Sequence, residues 1–161
     1  MYCGILPYII SDDNNIYLLI GFEPRGYSEF GGGAEGDDYK QQAIREFHEE
    51  THGLFLHLNT ELERLTDDDI IHYSNTAVVY GYQLPLSTNE AELCVTCYNN
   101  MFKLLIEHKV DNYLPDHSGL FEKLELMLVH MDDVEIYRLS YYFKLHLPTV
   151  KQWLLNKLVN C

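Results

Sequence analysis

Between Phe30 and Phe55 the chain reads FGGGAEGDDYKQQAIREFHEETHGLF, a run of glycines leading into a helix-competent segment that carries Arg45, Glu46, Glu49 and Glu50. At about 100° per residue, Glu49 and Glu50 fall within roughly 60° of Glu46 on either side. Three carboxylates then share one helix face, while Ala43, Ile44, Phe47 and Thr51 occupy another arc that can turn toward a core. Like charges at i, i+4 weaken a helix by a few tenths of a kcal/mol, roughly, so stability alone does not account for the cluster. Hard divalent cations need such oxygen ligands, and Mg²⁺ in particular combines one or two carboxylates with substrate phosphates. The bland alternative is a solvated acidic helix face.

The pattern resembles the signature of the Nudix hydrolase family, G-x5-E-x7-R-E-U-x-E-E-x-G-U, where U is bulky and apolar. Gly31 fills the first glycine, and Arg45-Glu46-Phe47-His48-Glu49-Glu50 fills the centre without a gap. Two positions of the Gly31–Leu54 box depart from the pattern. Asp37 stands where the family has its first Glu, and His52 stands at the late glycine, with Gly53 following. The loop can also be read one residue shorter, with Gly32-Gly33 and Glu35 taking the places of the family's glycine pair and the Glu after it.

The resemblance implies an α/β fold, an α/β/α sandwich with a mixed β-sheet, and a single domain over residues 1–161. It implies metal-dependent hydrolysis of the diphosphate linkage in a small nucleoside diphosphate derivative: a nucleotide, a nucleotide sugar or a dinucleoside polyphosphate. Glu46, Glu49, Glu50 and Arg45 would be the catalytic set. Glu49 and Glu50 would lead in holding Mg²⁺ or Mn²⁺, with Glu46 as a further ligand or the proton acceptor for water. The Gly31 or Gly32 carbonyl can join them, and Arg45 would orient the carboxylates by bidentate hydrogen bonds. Family members often recruit one more carboxylate from outside the box. Glu122 is the first candidate for it, with Glu125, Glu90 and Glu92 as alternatives. Arg25 and Tyr27, just before the box, would reach a phosphate and stack on a base. Two other function classes stay open: an mRNA cap-hydrolysing enzyme of the same reaction, and a nucleotide-binding module that kept the fold and lost turnover. The intact acidic set argues against the last.

Composition narrows the partners. The net charge is −14, from 11 basic and 25 acidic residues, and the basic ones are dispersed. Holding a long nucleic acid calls for a basic stripe, so small anionic substrates that approach through metal ions are expected instead. The chain has 47% hydrophobic residues and no apolar run near the ~18–20 residues of a membrane span. No basic region precedes the short apolar run of MYCGILPYIISDD, so no signal peptide is expected. Four cysteines (Cys3, Cys94, Cys97, Cys161) are too scattered for a disulfide framework. Reduced thiols suit an intracellular, soluble protein, cytoplasmic by preference. Composition leaves the oligomeric state open. The lone C-x-x-C at Cys94 and Cys97 reads as core packing of a helix rather than as a zinc or redox site.

These residues must be positioned by the elements around them. Residues 3–10 and 16–22 read as a hairpin over the turn Asp12–Asn15, with Pro7 pushing the first strand toward an edge or bulge. Residues 23–29 read as a loop, and Gly31-Gly32-Gly33 as a glycine loop offering positive φ and close backbone approach. Asp37 or Asp38 can cap the helix that follows, and Gly53 can end it one residue late. Residues 54–58 read as a short strand, 66–69 as a loop or capped turn and 76–84 as a strand. A helix over 89–109 places Leu93, Cys94, Cys97, Tyr98, Met101, Leu104 and Leu105 at helical spacing. A loop over 111–119, a strand over 123–130, an acidic turn and a helix starting at Pro148 complete the chain.

Overall fold

The first two strands, β1 (Tyr2–Ile10) and β2 (Ile16–Glu23), pair only near their turn, where Tyr8, Ile9 and Ile10 face Leu18, Tyr17 and Ile16. Beyond that they splay, and two short strands fill the fork: β3 (Gly26–Ser28) on β2 and β4 (Phe30–Gly33) on β1. The computed structural model describes residues 1–108 and 122–159. The loop expected at 111–119, the last residue of the helix expected over 89–109, and Cys161 lie outside the described residues.

The chain continues through α1 (Tyr39–Glu50), the one-turn α2 (Asn59–Leu62), β5 (Ile70–Tyr73), β6 (Ala77–Gln83), α3 (Thr88–Glu107), β7 (Glu125–His130) and α4 (Tyr141–Val159). β6 runs parallel to β1 and antiparallel to β5, and β7 covers the free edge of β2, so the sheet is mixed. Its two faces bury separate cores. Ala43, Ile44 and Phe47 of α1 and Ala91, Val95, Tyr98 and Phe102 of α3 close one. Phe143, Leu147, Val150 and Leu154 of α4 close the other. The result is the three-layer α/β/α arrangement expected from the sequence.

Several local expectations are corrected. β1 lies inside the sheet although it holds Pro7. The Tyr8 carbonyl faces β6, where it accepts from the Leu84 amide, so the Pro7 nitrogen faces the other way. It falls in the gap between the β4 partners of Tyr2–Ile5 and the β2 partners of Tyr8–Ile10, and its missing N–H costs no ladder bond. Part of the 23–29 loop is β3. The three consecutive glycines form strand rather than loop, and none of them has positive φ. Their use is close approach: a Cβ on Gly31 would meet the Cys3 carbonyl oxygen at 2.4 Å and the Gly4 Cα at 2.6 Å.

Asp38, not Asp37, caps α1, its Oδ1 accepting from the Gln41 amide at 3.1 Å. The helix ends at Glu50 and does not run on to Gly53. His52 itself takes the left-handed conformation (φ 53°), its N–H bonding the Glu49 carbonyl while Gly53 N–H bonds that of His48 at 2.7 Å. This is a complete Schellman closure. The His52 ring stacks on Tyr98, 4.6 Å between centroids, and that packing compensates the strain glycine would avoid.

Residues 56–58 form a 3₁₀ turn leading into α2 instead of a strand, because Phe55, Leu58 and Leu62 meet the core at helical spacing. The 66–69 turn is capped as expected, with Thr66 and Asp69 bonded to each other. On α3 the buried stripe is Ala91, Val95, Tyr98 and Phe102, while Leu93, Met101 and Leu104 are exposed. Cys94 packs partly against the core, but Cys97 is exposed and takes no part in it. α4 starts at Tyr141, and Pro148 stands inside it on the exposed face, where the Lys144 carbonyl it cannot bond meets solvent.

Candidate functional site

A cleft of about 1100 Å³ opens where β1 and β2 fork. Gly31 and Gly32 of β4 line it together with Arg45, Glu46 and Glu49 of α1 and Glu122 before β7. The helix face expected to carry the three carboxylates thus meets the glycine strand edge-on. A Cβ on Gly32 would lie 2.7 to 2.9 Å from the Glu46 carboxylate, so only glycine lets the two meet.

Arg45 grips two of these groups. Its Nη1 donates to both Glu49 oxygens at 2.9 Å, and its Nη2 donates to Glu46. The bond to Glu49 uses one guanidinium nitrogen for both oxygens, so Arg45 bridges the two carboxylates. Burial pushes the Glu46 carboxyl above its ordinary value; Arg45 opposes the shift, and Glu49 and Glu122 add to it.

Glu50 is placed differently. Its side chain is 1% exposed and faces inward, with Oε2 accepting from the Gly31 amide at 2.8 Å. Burial is the main cause that raises its pKa to about 8, with Lys123 pulling the other way. Glu50 therefore pins the glycine strand from beneath.

Lys123 was not foreseen. Its side chain is 2% exposed, and Nζ donates to Ser28 Oγ at 2.6 Å and to the Glu29 carbonyl at 2.9 Å. Glu50 Oε1 lies 3.9 Å away and Glu23 Oε1 4.0 Å away. The stem runs over Gly21, where a Cβ would sit 2.6 Å from its Cδ. α3 fixes the backbone at Lys123 and just after it. The Tyr98 hydroxyl donates to the Lys123 carbonyl at 2.6 Å, and the Asn99 amide holds both the N–H and the C=O of Leu126. The one sequence signal for it was a lone cation heading a strand in so acidic a chain.

Arg25 lines the cleft, with its side chain 77% exposed and Glu23 3.5 Å away. Tyr27 is not among the lining residues. Its hydroxyl is bonded to Glu125, and its ring packs on Phe22 at 4.9 Å and on Tyr137 at 5.9 Å. That contact also occupies Glu125. Glu90 caps α3 through Ser87, and Glu92 is exposed on the same helix, so neither lines the cleft. His52 faces α3 rather than the cleft. Of the carboxylates named outside the box, Glu122 alone lines the cleft.

The far half of the cleft holds residues that belong to no motif: Tyr2, Glu29, Arg138, Tyr141, Tyr142 and His146. Glu29 and His146 are buried, 4.0 Å apart between Oε1 and Nδ1, and the His146 ring stacks on His72 with centroids 3.7 Å apart. Burial lowers the pKa of both imidazoles, and for His72 the neighbouring His146 adds to it. A histidine held below its unfolded pKa contributes stability that is complete above about pH 6.5 and is lost as pH falls through the folded value. Unfolding followed at pH 7.5 and 5.5 should therefore show a smaller loss in His146→Gln than in the native chain. An equal loss in both would refute the assignment.

Oxygen donors of this kind suit a hard divalent cation. Among the described residues, no three acidic, His or Cys side chains are gathered closely enough to hold an ion as they stand. Arg45 occupies oxygens of Glu46 and Glu49 instead. Glu46, raised by burial and by the neighbouring Glu49 and Glu122, is nonetheless the kind of group a cation relieves, and the Gly32 cradle keeps its oxygens against bare backbone. The donor chemistry suits such an ion, although the described side chains are not gathered around one.

No protein-family model and no curated protein sequence matches the chain. Solved structures do. A mutT/nudix family protein from Listeria innocua is 12% identical, with 99% of this chain and 96% of that one covered at a TM-score of 0.55. The Nudix hydrolase RenU from M. smegmatis is 14% identical, with 94% and 83% covered at 0.51. An Ap4A hydrolase from C. elegans is 12% identical, with 96% and 97% covered at 0.50. The fold is the Nudix fold. Among the described residues no helix is long and apolar enough to cross a membrane.

Proposed function

We propose that the chain is a single-domain Nudix-type pyrophosphohydrolase that cleaves the diphosphate linkage of a small nucleoside diphosphate derivative with Mg²⁺ or Mn²⁺. The observation that carries this reading is the meeting of Glu46, Glu49 and Arg45 with the glycine strand at the mouth of one cleft. Glu46, Glu49 and Glu122 would hold the metal, with the Gly31 or Gly32 carbonyl as a further donor. The metal supplies charge neutralisation at the transferring phosphorus and orients the attacking water. Glu50, implied by the resemblance as a leading metal ligand, instead takes a positioning role, because it does not line the cleft and its carboxylate accepts from the Gly31 amide and fixes that strand. Arg45 holds the Glu46 and Glu49 carboxylates in place and would have to yield oxygens of both to a cation held there.

Arg25 would take a phosphate of the substrate. Three of the four arginines, Arg25, Arg45 and Arg138, line this cleft in a chain of net charge −14. That concentration suits an anion larger than the scissile diphosphate alone, such as a nucleoside triphosphate or a dinucleoside polyphosphate. The test is product release from a panel of such compounds, with and without Mg²⁺. Metal-dependent cleavage at a diphosphate linkage supports the proposal, and inertness across the panel with both Mg²⁺ and Mn²⁺ sinks it.

A further inference from the structure

Two tyrosines at the start of α4 are exposed to an extent their size does not favour, Tyr141 at 70% and Tyr142 at 64%, and both line the cleft. Their rings meet edge to face, with centroids 5.5 Å apart. The segment that presents them is fixed in place. Tyr27 N–H donates to the Arg138 carbonyl at 2.8 Å, and Ser140 N–H returns a bond to the Tyr27 carbonyl at 2.9 Å, so residues 138–140 lie along β3 as an added edge. Gly26 permits this docking. Its φ is +122°, and a Cβ there would stand 2.6 to 2.8 Å from the backbone of Arg138, Leu139 and Ser140. Ser140 Oγ then accepts from the Phe143 amide at 3.3 Å and starts the helix.

In the same cleft, two polar atoms are buried without a hydrogen-bond partner among the described residues, Glu29 Oε2 and His146 Nδ1. Tyr142 and His146 are four residues apart and so share one side of α4. Unpaired buried polar atoms are rare in native structures and mark places where a partner is missing.

We propose that Tyr141 and Tyr142 form a nucleobase platform: a base stacks on the face of one ring, meets the edge of the other, and turns its polar edge toward Glu29 and His146. A nucleobase combines the π face the tyrosines take with the hydrogen-bonding edge those two buried atoms lack, and Arg138 stands beside it for an attached phosphate. The inference rests on the nucleotide-hydrolase reading and adds the residues that hold the base. They replace Tyr27, whose ring is already engaged by Phe22 and Tyr137.

The test is calorimetric titration of the full chain, in Mg²⁺, with AMP, GMP and ribose 5-phosphate. The native chain should bind at least one nucleotide about tenfold or more tightly than the base-free sugar phosphate, the scale of one base–aromatic stack. Tyr141→Ala/Tyr142→Ala should remove that advantage and leave ribose 5-phosphate binding unchanged, while the double Phe variant keeps it. The platform is overturned if the alanine variant binds nucleotides like the native chain. It is equally overturned if the native chain binds ribose 5-phosphate as well as AMP and GMP, or binds neither nucleotide. Binding is read without turnover, so the two readings fail separately. A chain that shows this pattern and hydrolyses nothing loses the catalytic reading and keeps the platform.

Discussion

Glutamine in place of Glu49 should lower metal-dependent turnover by about two to three orders of magnitude, the scale of losing one preorganised electrostatic contact to a transition state, and leave the unfolding midpoint where it was. The stability half follows from exposure. The Glu49 side chain is 32% exposed, and its hydrogen bonds run to Arg45 on the same helix, at i, i+4. Such a pair contributes about 0.3–0.5 kcal/mol, and a glutamine oxygen still accepts one of the two bonds. The activity half follows from position. Glu49 lines the cleft beside Gly32 and Glu46, and an amide has no charge with which to neutralise a cation.

Glu50→Gln separates the two carboxylates. Its oxygen can still accept from the Gly31 amide, so the strand stays pinned, but it can no longer ionise beside Lys123, as Glu50 does when pH rises through about 8. Turnover should fall there as well, with a change in stability that Glu49→Gln lacks. The readouts are kcat at saturating Mg²⁺ and urea unfolding of each variant. Glu49→Gln activity within tenfold of native would remove Glu49 from the proposed metal site.

What could be read in advance was whatever depended on short-range spacing. The α1 face, its cap region, the β1–β2 hairpin, β6 and the capped 66–69 turn all follow from residues a few positions apart. What escaped reading depended on partners far along the chain. Glycine is a poor strand former, yet Gly31-Gly32-Gly33 becomes strand because β1 presents a free edge once β2 has diverged. Residues 56–58 look like a strand until Phe55 and Leu62 fix them against α1. Pro148 suggests a helix start because nothing nearby in sequence reveals that Ser140 and the β3 edge already begin α4 seven residues before it. The candidate site divides in the same way. Its acidic half is a local motif and was legible. Its other half is drawn from β3, the 138–140 segment and α4, and no sequence spacing connects Glu29 to His146.

Lys123→Met should cost about 3–5 kcal/mol of folding stability, the range found when one partner of a buried ion pair is removed. Methionine matches the length of the stem and can lie over Gly21, so packing survives and the loss is electrostatic. Four groups lose their cation: Ser28 Oγ and the Glu29 carbonyl lose hydrogen bonds, and Glu50 and Glu23 lose a charge about 4 Å away. Glu50 can escape by taking a proton, since burial already raises it to about 8. The sign of the pH dependence follows. An acid whose folded pKa lies above its unfolded value leaves the fold most stable below the unfolded value, and stability falls as pH rises toward the folded one. The metal-free variant should therefore lose more at pH 8 than at pH 6, as measured by urea unfolding. Adding Glu50→Gln removes the stranded carboxylate, so Lys123→Met/Glu50→Gln should recover at least about 1 kcal/mol relative to Lys123→Met, the non-additivity expected of groups in one network. A loss below about 1 kcal/mol at both pH values, or strict additivity of the two substitutions, would show that Lys123 fills space under the glycine strand without compensating the charge beneath it.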